Sequence, residues 1–247
     1  MTDSPNESRT PAMSPSPDIR YSLVIPAYNE EKRIVSFFET ITGFDGELII
    51  VCDGTDATAE VVEQIAQKRA DLRIRCLRFG SRLGKGGGVI AGLKAAQSPF
   101  VGYVDADGST SLKEVTRLFS YLGKYDGVFG SRWVPGSKLQ VRQGLLRQLE
   151  SRGFNLFIRL LFGLNYRDTQ CGAKVFKKSA IDVVLPMMVS RGFEFDVELL
   201  WRLAGAGYII GEFPIEWQNK GDSRVKKRDM IRMLIGLVMV RLHTGNP

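Results

Sequence analysis

The stretch Phe100-Val101-Gly102-Tyr103-Val104-Asp105-Ala106-Asp107-Gly108 runs from apolar, strand-forming residues straight into turn chemistry, with two carboxylates at the junction. In extended chain the side chains at i and i+2 project to the same face. Asp105 and Asp107 can therefore approach one hard divalent cation, which prefers oxygen ligands. Without a cation, two acids at the end of a buried strand repel each other. The same letters also spell a surface turn, because Gly108 supplies a permissive backbone and Asp-x-Asp-Gly is good turn sequence. The flanking sequence decides between the two.

On both sides, apolar runs of strand composition alternate with amphipathic segments of helix length. Residues 21–26, 47–52, 74–79, 100–105 and 127–131 read as strands, and 30–42, 57–69, 87–96 and 112–122 as helices. This alternation implies an α/β fold, a Rossmann-like, mainly parallel twisted sheet flanked by helices. In such sheets ligands bind beyond the carboxyl ends of the strands, where the strand order switches. The chemically informative residues fall there. Pro26-Ala27-Tyr28-Asn29-Glu30 follows the first strand, Asp53-Gly54 the second, Gly84-Lys85-Gly86-Gly87-Gly88 the third and Asp105-Ala106-Asp107 the fourth. After Ser131 the pattern changes to long helical stretches around Thr169-Gln170-Cys171-Gly172, then a strand at 208–217.

A chain of 247 residues, 44% hydrophobic and 25% charged, is long enough for one globular domain with a sizeable core. Residues 1–18 carry four prolines and four serines and no apolar segment, which reads as a disordered tail and not a signal peptide. The domain is expected over 19–247. Cys52, Cys76 and Cys171 are odd in number and lack C-x-x-C spacing, which points to a reducing compartment and no zinc site. The single histidine, His243, lies near the C-terminus, so a histidine base is not expected.

Charge is divided unevenly. Residues 1–131 hold 15 Lys and Arg against 17 Asp and Glu, whereas 132–247 hold 19 against 10. The second half is expected to meet an anion: nucleic acid, substrate phosphates or an anionic membrane surface. No window reaches the roughly 20 apolar residues that span a bilayer. Segments 145–164 and 230–242 are apolar with interspersed arginines. That pattern suits helices lying in a membrane interface and equally suits core helices.

The loop Gly80-Ser81-Arg82-Leu83-Gly84-Lys85-Gly86 is not a P-loop, since three residues rather than four separate Gly80 from Gly84, and Gly86 stands where Ser or Thr should be. Nor does G-x-G-x-x-G follow the first strand, which disfavours a nicotinamide dehydrogenase. A glycine-rich helix entry with Arg82 and Lys85 still suits a nucleotide diphosphate, through backbone N–H groups and the helix dipole. Its structural alternative is a flexible helix entry.

Taken in order, Ile25-Pro26-Ala27-Tyr28-Asn29-Glu30-Glu31, Asp53-Gly54-Thr55-Asp56-Ala57-Thr58, Gly84-Lys85-Gly86-Gly87 and Asp105-Ala106-Asp107-Gly108 resemble the signatures of family 2 inverting glycosyltransferases with the GT-A fold. Gly130-Ser131-Arg132, the run from Asp168 to Lys174 and Phe195-Asp196-Val197-Glu198 narrow the resemblance to enzymes that glycosylate dolichyl phosphate. It covers about residues 21–242.

The resemblance implies roles. Pro26, Tyr28 and Glu30 would shape the nucleotide pocket and Asp53 would meet the base. Lys85, Ala106 and Arg224 would contact the donor, and Asp105 and Asp107 would hold Mg2+ or Mn2+ against its diphosphate. Arg132, also counted with Asp105 and Asp107 as catalytic, would receive the acceptor phosphate with Arg147 and Ser151. On this view residues 19–131 form the donor half, and 132–247 the acceptor and membrane-facing half. Cys52 stands where many relatives carry an Asp, and Gln218 where mannose synthases carry an Arg. With Glu216-Trp217, the latter tilts the resemblance toward dolichyl-phosphate glucosyltransferases.

The expected reaction is thus transfer of a hexose, glucose from UDP-glucose, with inversion onto dolichyl or polyprenyl phosphate. The protein would act peripherally on the cytoplasmic face of a membrane. The alternatives are GDP-mannose as donor, or a soluble acceptor that needs a carboxylate base from Asp168, Glu194 or Asp196. A pI near 9.4 also admits a nucleic-acid-binding module. The basic residues, however, interleave with Leu and Phe at helical spacing and no aromatic stacking motif is present, so nucleic acid is not expected as a partner.

Overall fold

In Leu48-Ile49-Ile50-Val51 successive side chains turn to opposite faces, and all four are fully buried, as a strand covered by helices on both sides requires. The computed structural model describes residues 20–139, 145–218 and 227–244, and the side chains of these apart from 145–152, 227–229 and 243–244. The N-terminal 1–18 segment and Arg224 lie outside the described residues, as do the side chains of Arg147, Ser151 and His243.

Strands β1 (Tyr21–Ala27), β2 (Gly46–Cys52), β3 (Arg73–Arg78) and β4 (Phe100–Val104) are connected by helices α1 (Glu31–Glu39), α2 (Thr58–Lys68) and α3 (Gly84–Ala95). Helix α4 (Leu112–Phe119) leads to β5 (Gly127–Ser131). Its Ser111 cap accepts the Glu114 N–H at 3.3 Å, a start that Ser-x-x-Glu specifies. Then come β6 (Lys138–Leu139), α5 (Leu145–Phe162), β7 (Ala173–Lys177), α6 (Lys178–Val184), α7 (Phe195–Gly205), β8 (Ile210–Pro214), β9 (Glu216–Trp217) and α8 (Lys227–Thr244).

The main sheet has the order β3-β2-β1-β4-β7-β5-β8, and β6 pairs with β9 in a separate two-stranded ladder. All pairings in the main sheet are parallel except those of β7. Beyond β1 the order reverses, so β1 and β4 flank the switch point. The β1–β2 ladder runs the whole length of β1, whereas the β1–β4 ladder stops at Val24↔Tyr103. From Ile25 onward the two strands part and open a crevice. Pro26, which has no N–H to donate, lies in that unpaired portion, where its lack costs least.

Two differences from the sequence expectation have physical causes. Strand β7, absent from the periodicity reading, is an antiparallel insertion between β4 and β5. Its Lys174 is fully buried, which breaks the apolar pattern that marks a central strand. Helix α3 begins at Gly84 rather than at 87 because Gly84 adopts φ +77°, a left-handed conformation suited to glycine.

Helices α5 and α8 each carry two apolar stripes. Phe154, Ile158 and Phe162 on α5, and Met233, Leu237 and Val240 on α8, are buried. Leu156 and Leu160, and Ile231, Ile235, Val238, Met239 and Leu242, are exposed. An ordinary core helix presents one such stripe. No helix among the described residues is long and apolar enough to cross a membrane.

Gly92 sets the distance between α3 and β1, since a Cβ there would sit 2.3 Å from Val24 Cγ1. Alanine gains up to about 1 kcal/mol of helix preference, but overpacking against a stiff β-branched side chain costs about 1–3 kcal/mol. Gly92→Ala is therefore expected to lower the urea midpoint at unchanged slope. An equal or higher midpoint would contradict this packing account.

Candidate active site

Strand β4 ends at Val104, and residues 105–108 form a turn closed by Gly108 at φ +68°. The two acids thus meet through a turn and not through extended-strand alternation, and the turn reading and the metal reading describe the same residues. The Asp105 N–H donates to Gly172 O at 3.2 Å, and Asp107 Oδ1 accepts the Ser109 N–H at 2.8 Å. Burial, and after it the charge of Asp105, pushes the Asp107 carboxyl above the ordinary carboxylate range. Lys85 Nζ stands 2.8 Å from Asp105 Oδ1. Burial alone would lower the Lys85 pKa, but Asp105 and then Asp196 hold its proton well above the usual lysine range.

This donor set fits a hard divalent ion. Lys85 balances one carboxylate, while the repulsion that raises Asp107 is relieved only by further positive charge. Among the described residues no cluster of three His, Cys, Asp or Glu side chains forms a closed metal cage. An ion held by Asp105 and Asp107 would complete its shell with water and diphosphate oxygens, the usual habit of Mg2+ and Mn2+ at phosphate sites.

The other residues expected on the donor side stand in the loops after β1 to β4. Arg82 lies over the Tyr28 ring, 4.2 Å from its centroid. Asn29, at φ +54°, accepts the Thr55 N–H at 2.9 Å and so joins the loops after β1 and β2. Asp53 is buried and accepts the Leu83 N–H at 2.8 Å. Ala106 is buried beneath the turn. Glu30 is engaged by Arg33 at 2.7 and 3.0 Å.

The glycine loop works differently from the sequence reading. The N–H groups of Gly86 and Gly87 donate to Gly192 O (3.2 Å) and Arg191 O (3.1 Å), so they are not open to a diphosphate. A Cβ on Gly86 would lie 2.6 Å from Phe195 Cβ. These glycines let the 191–195 loop approach α3, and Lys85 is what the loop offers the crevice.

Across the crevice, Arg132 follows β5. Its Nε and Nη2 bind Asp168 at 2.7 and 2.8 Å, and its backbone N–H reaches the same carboxylate at 2.9 Å. Burial works against its charge, but Asp168 above all, with a contribution from Asp105, keeps the guanidinium firmly protonated. Its carbon lies 5.6 Å from the Trp217 ring centroid. The N–H groups of Arg167 and Asp168 both donate to Glu212. Arg147 and Ser151 belong to the first turns of α5, where side chains are not described.

Of the carboxylates considered as bases, Asp168 and Asp196 are held in ion pairs. Asp168 is fully buried against Arg132. Asp196 is held by Lys174 at 2.6 Å and by the Tyr103 hydroxyl. Lys174 is wholly interior. Glu194 accepts the Gly192 N–H at 3.0 Å. Sequence reasoning missed the task of Glu198: buried with Arg202 at 2.7 Å, it accepts the Val189 and Ser190 N–H groups and pins the loop over α3.

The switch-point crevice, with an acidic turn, a lysine on one side and an ion-paired arginine on the other, is set in a GT-A fold. Residues 22–185 match the model of glycosyl transferase family 2, and the chain belongs to that family as a glycosyltransferase. It is 32% identical over 240 residues to glycosyltransferase AglD of Haloferax volcanii, with 93% of this chain and 37% of that protein covered. It is likewise 32% identical over 248 residues to dolichyl-phosphate beta-glucosyltransferase ALG5C of Trichomonas vaginalis (93% and 73%). Identity to the Saccharomyces cerevisiae dolichyl-phosphate beta-glucosyltransferase is 30% over 251 residues (91% and 75%). The chain thus spans little more than a third of the first relative and about three quarters of the others. In fold it is similar to the mannosyltransferase PcManGT from Pyrobaculum calidifontis in complex with GDP-Man and Mn2+ (TM-score 0.66, 17% identity, 97% and 69% covered). It is also similar to glucosyl-3-phosphoglycerate synthase from Mycobacterium tuberculosis with Mn2+, UDP-Glc and phosphoglyceric acid (0.63, 21%, 93% and 81%).

Because the charge of half-buried Asp107 is disfavoured beside Asp105, Asp107→Asn should leave the thermal midpoint equal to or above wild type. The same variant should abolish the added thermal protection that Mn2+ gives in the presence of UDP. Retained Mn2+-dependent protection would remove Asp107 from the metal site.

Proposed function

We propose that this glycosyltransferase moves a hexose, glucose from UDP-glucose, with inversion onto the phosphate of dolichol or another polyprenol. The observation that carries the acceptor class is that Asp168 and Asp196 are buried and ion-paired, while the Arg132 charge faces the crevice. A hydroxyl acceptor needs a base to take its proton. A phosphate monoester is already largely ionised near neutral pH and needs positive charge to meet an anionic donor. The names of the relatives support dolichyl phosphate and glucose.

In this reading an acceptor phosphate oxygen attacks the anomeric carbon from the face opposite the diphosphate, and the bond to the diphosphate breaks. Pro26, Tyr28, Asp53 and Ala106 hold the nucleotide, Lys85 meets the departing diphosphate, and Arg132, with Arg147 and Ser151, grips the acceptor. Arg224 belongs to the donor side by resemblance. A divalent ion at Asp105 and Asp107, Mg2+ or Mn2+, supplies charge neutralisation for the leaving group.

The membrane arm of the proposal rests on the exposed stripes of α5 and α8 together with the positive balance of residues 132–247. Between these helices an apolar groove of about 360 Å³ is lined by Gly153, Phe154, Phe157, Met230 and Leu234. It suits the first units of an isoprenoid chain. The protein would lie on the cytoplasmic face, with no nucleic-acid partner.

Two measurements test this. Labelled UDP-glucose, but not GDP-mannose, is expected to label dolichyl phosphate in a metal-dependent way. Label entering dolichol, or transfer from GDP-mannose alone, would overturn the assignment. Leu160→Asp combined with Ile235→Asp is expected to cut flotation with anionic liposomes at low salt while leaving the thermal midpoint near wild type, because both residues are exposed. Undiminished flotation would exclude these stripes as the membrane contact.

A further inference from the structure

Arg132 uses Nε and Nη2, the side-on edge of its guanidinium, to bind Asp168. A guanidinium paired in this way keeps a second two-pronged edge, formed by Nη1 and the remaining N–H of Nη2. Among the described residues no acceptor meets Nη1. The pair is unusually fixed. Three donors from one residue, two side-chain and one backbone, converge on a carboxylate with no solvent exposure. The Trp217 ring lies against the guanidinium. Asp168 is itself anchored, because its own N–H and that of Arg167 donate to Glu212 on β8.

We infer that Asp168 is the positioning residue of the acceptor site: it holds Arg132 side-on so that the free fork is aimed at the acceptor phosphate. This rests on the reading that Arg132 receives that phosphate. Asp168 touches no reacting atom and acts only through the arginine. The arrangement also explains why the position calls for Arg and not Lys. An ammonium has no second planar edge with which to serve two anions at once.

The inference makes a prediction opposite in sign to simple electrostatics. As a bare charge, Asp168 repels an incoming phosphate, so neutralising it should tighten acceptor binding. As a positioning residue, its loss releases the fork and weakens acceptor use. The assay uses a short, water-soluble isoprenyl phosphate as acceptor, which removes membrane effects. Asp168→Asn is expected to raise the acceptor KM, lowering kcat/KM by about ten- to a hundredfold. The UDP dissociation constant should not change. In an Arg132→Ala background the same change should have no further effect, since there is no arginine left to aim. If Asp168→Asn fails to fold, Asp168→Glu keeps the charge but displaces the fork by a methylene, and is expected to raise the acceptor KM in the same direction. A lowered or unchanged acceptor KM in the folded variant, or an effect that persists in the Arg132→Ala background, would overturn the inference. Failure of the underlying reading is recognised separately, as an acceptor KM that Arg132→Ala itself leaves unchanged.

Discussion

The ammonium of Lys174 is closed off from solvent. It lies fully buried on β7, between β4 and β5, and a charge in such a place is tolerated only when paired. Asp196 supplies the pairing at 2.6 Å, with the Tyr103 hydroxyl on the same oxygen. Removing one member of a buried pair typically costs about 3–5 kcal/mol. The pairing nails the first turn of α7 to the middle of the sheet. The loop before α7 must then run over the start of α3, where its carbonyls accept from Gly86 and Gly87. Lys85, one residue before Gly86, reaches Asp105 as a consequence. The donor side of the crevice is in this sense built outward from one interior salt bridge.

A pattern emerges in how the surrounding acids are balanced. Asp105 has Lys85, Asp168 has Arg132 and Asp196 has Lys174. Asp107 has a backbone N–H and the repulsion of Asp105. The imbalance is thus concentrated on one carboxylate, at the place where a cation and a diphosphate would arrive together. The opposite wall keeps a guanidinium edge free for a second anion. Internal pairing prevents the positive and negative groups of the crevice from simply collapsing onto each other.

Much of residues 20–131 was legible because β1, β2 and β4 are buried on both faces and the strands are separated by turn chemistry, so that period and punctuation agree. Asp105, Asp107, Asp53 and Pro26 stand at strand ends beside the switch in order, which is where the sequence pattern singles them out. The second half resisted for a specific reason. Strand β7 has five residues with a buried lysine at the second, and only a carboxylate more than twenty residues away makes that lysine acceptable. Asp168 could be offered as a base for a soluble acceptor because a sequence displays a carboxylate without its partner. The glycines around Lys85 were read as a phosphate cradle because small residues look alike whether a ligand or a neighbouring loop comes close. Each miss turns on a long-range contact that local pattern does not encode.

The double-striped character of α5 and α8 also bears on the protein's colloidal life. Leu156, Leu160, Ile231, Ile235, Val238, Met239 and Leu242 present hydrocarbon to solvent on two adjoining helices. Such a face is sticky in dilute buffer, and the positive charge of the same half counters that stickiness only while ionic strength is low. Raising salt to suppress contaminating anions during purification would therefore strip away the repulsion that keeps molecules apart. A mild detergent or lipid additive would cover the stripes directly and hold the chain in solution without relying on charge.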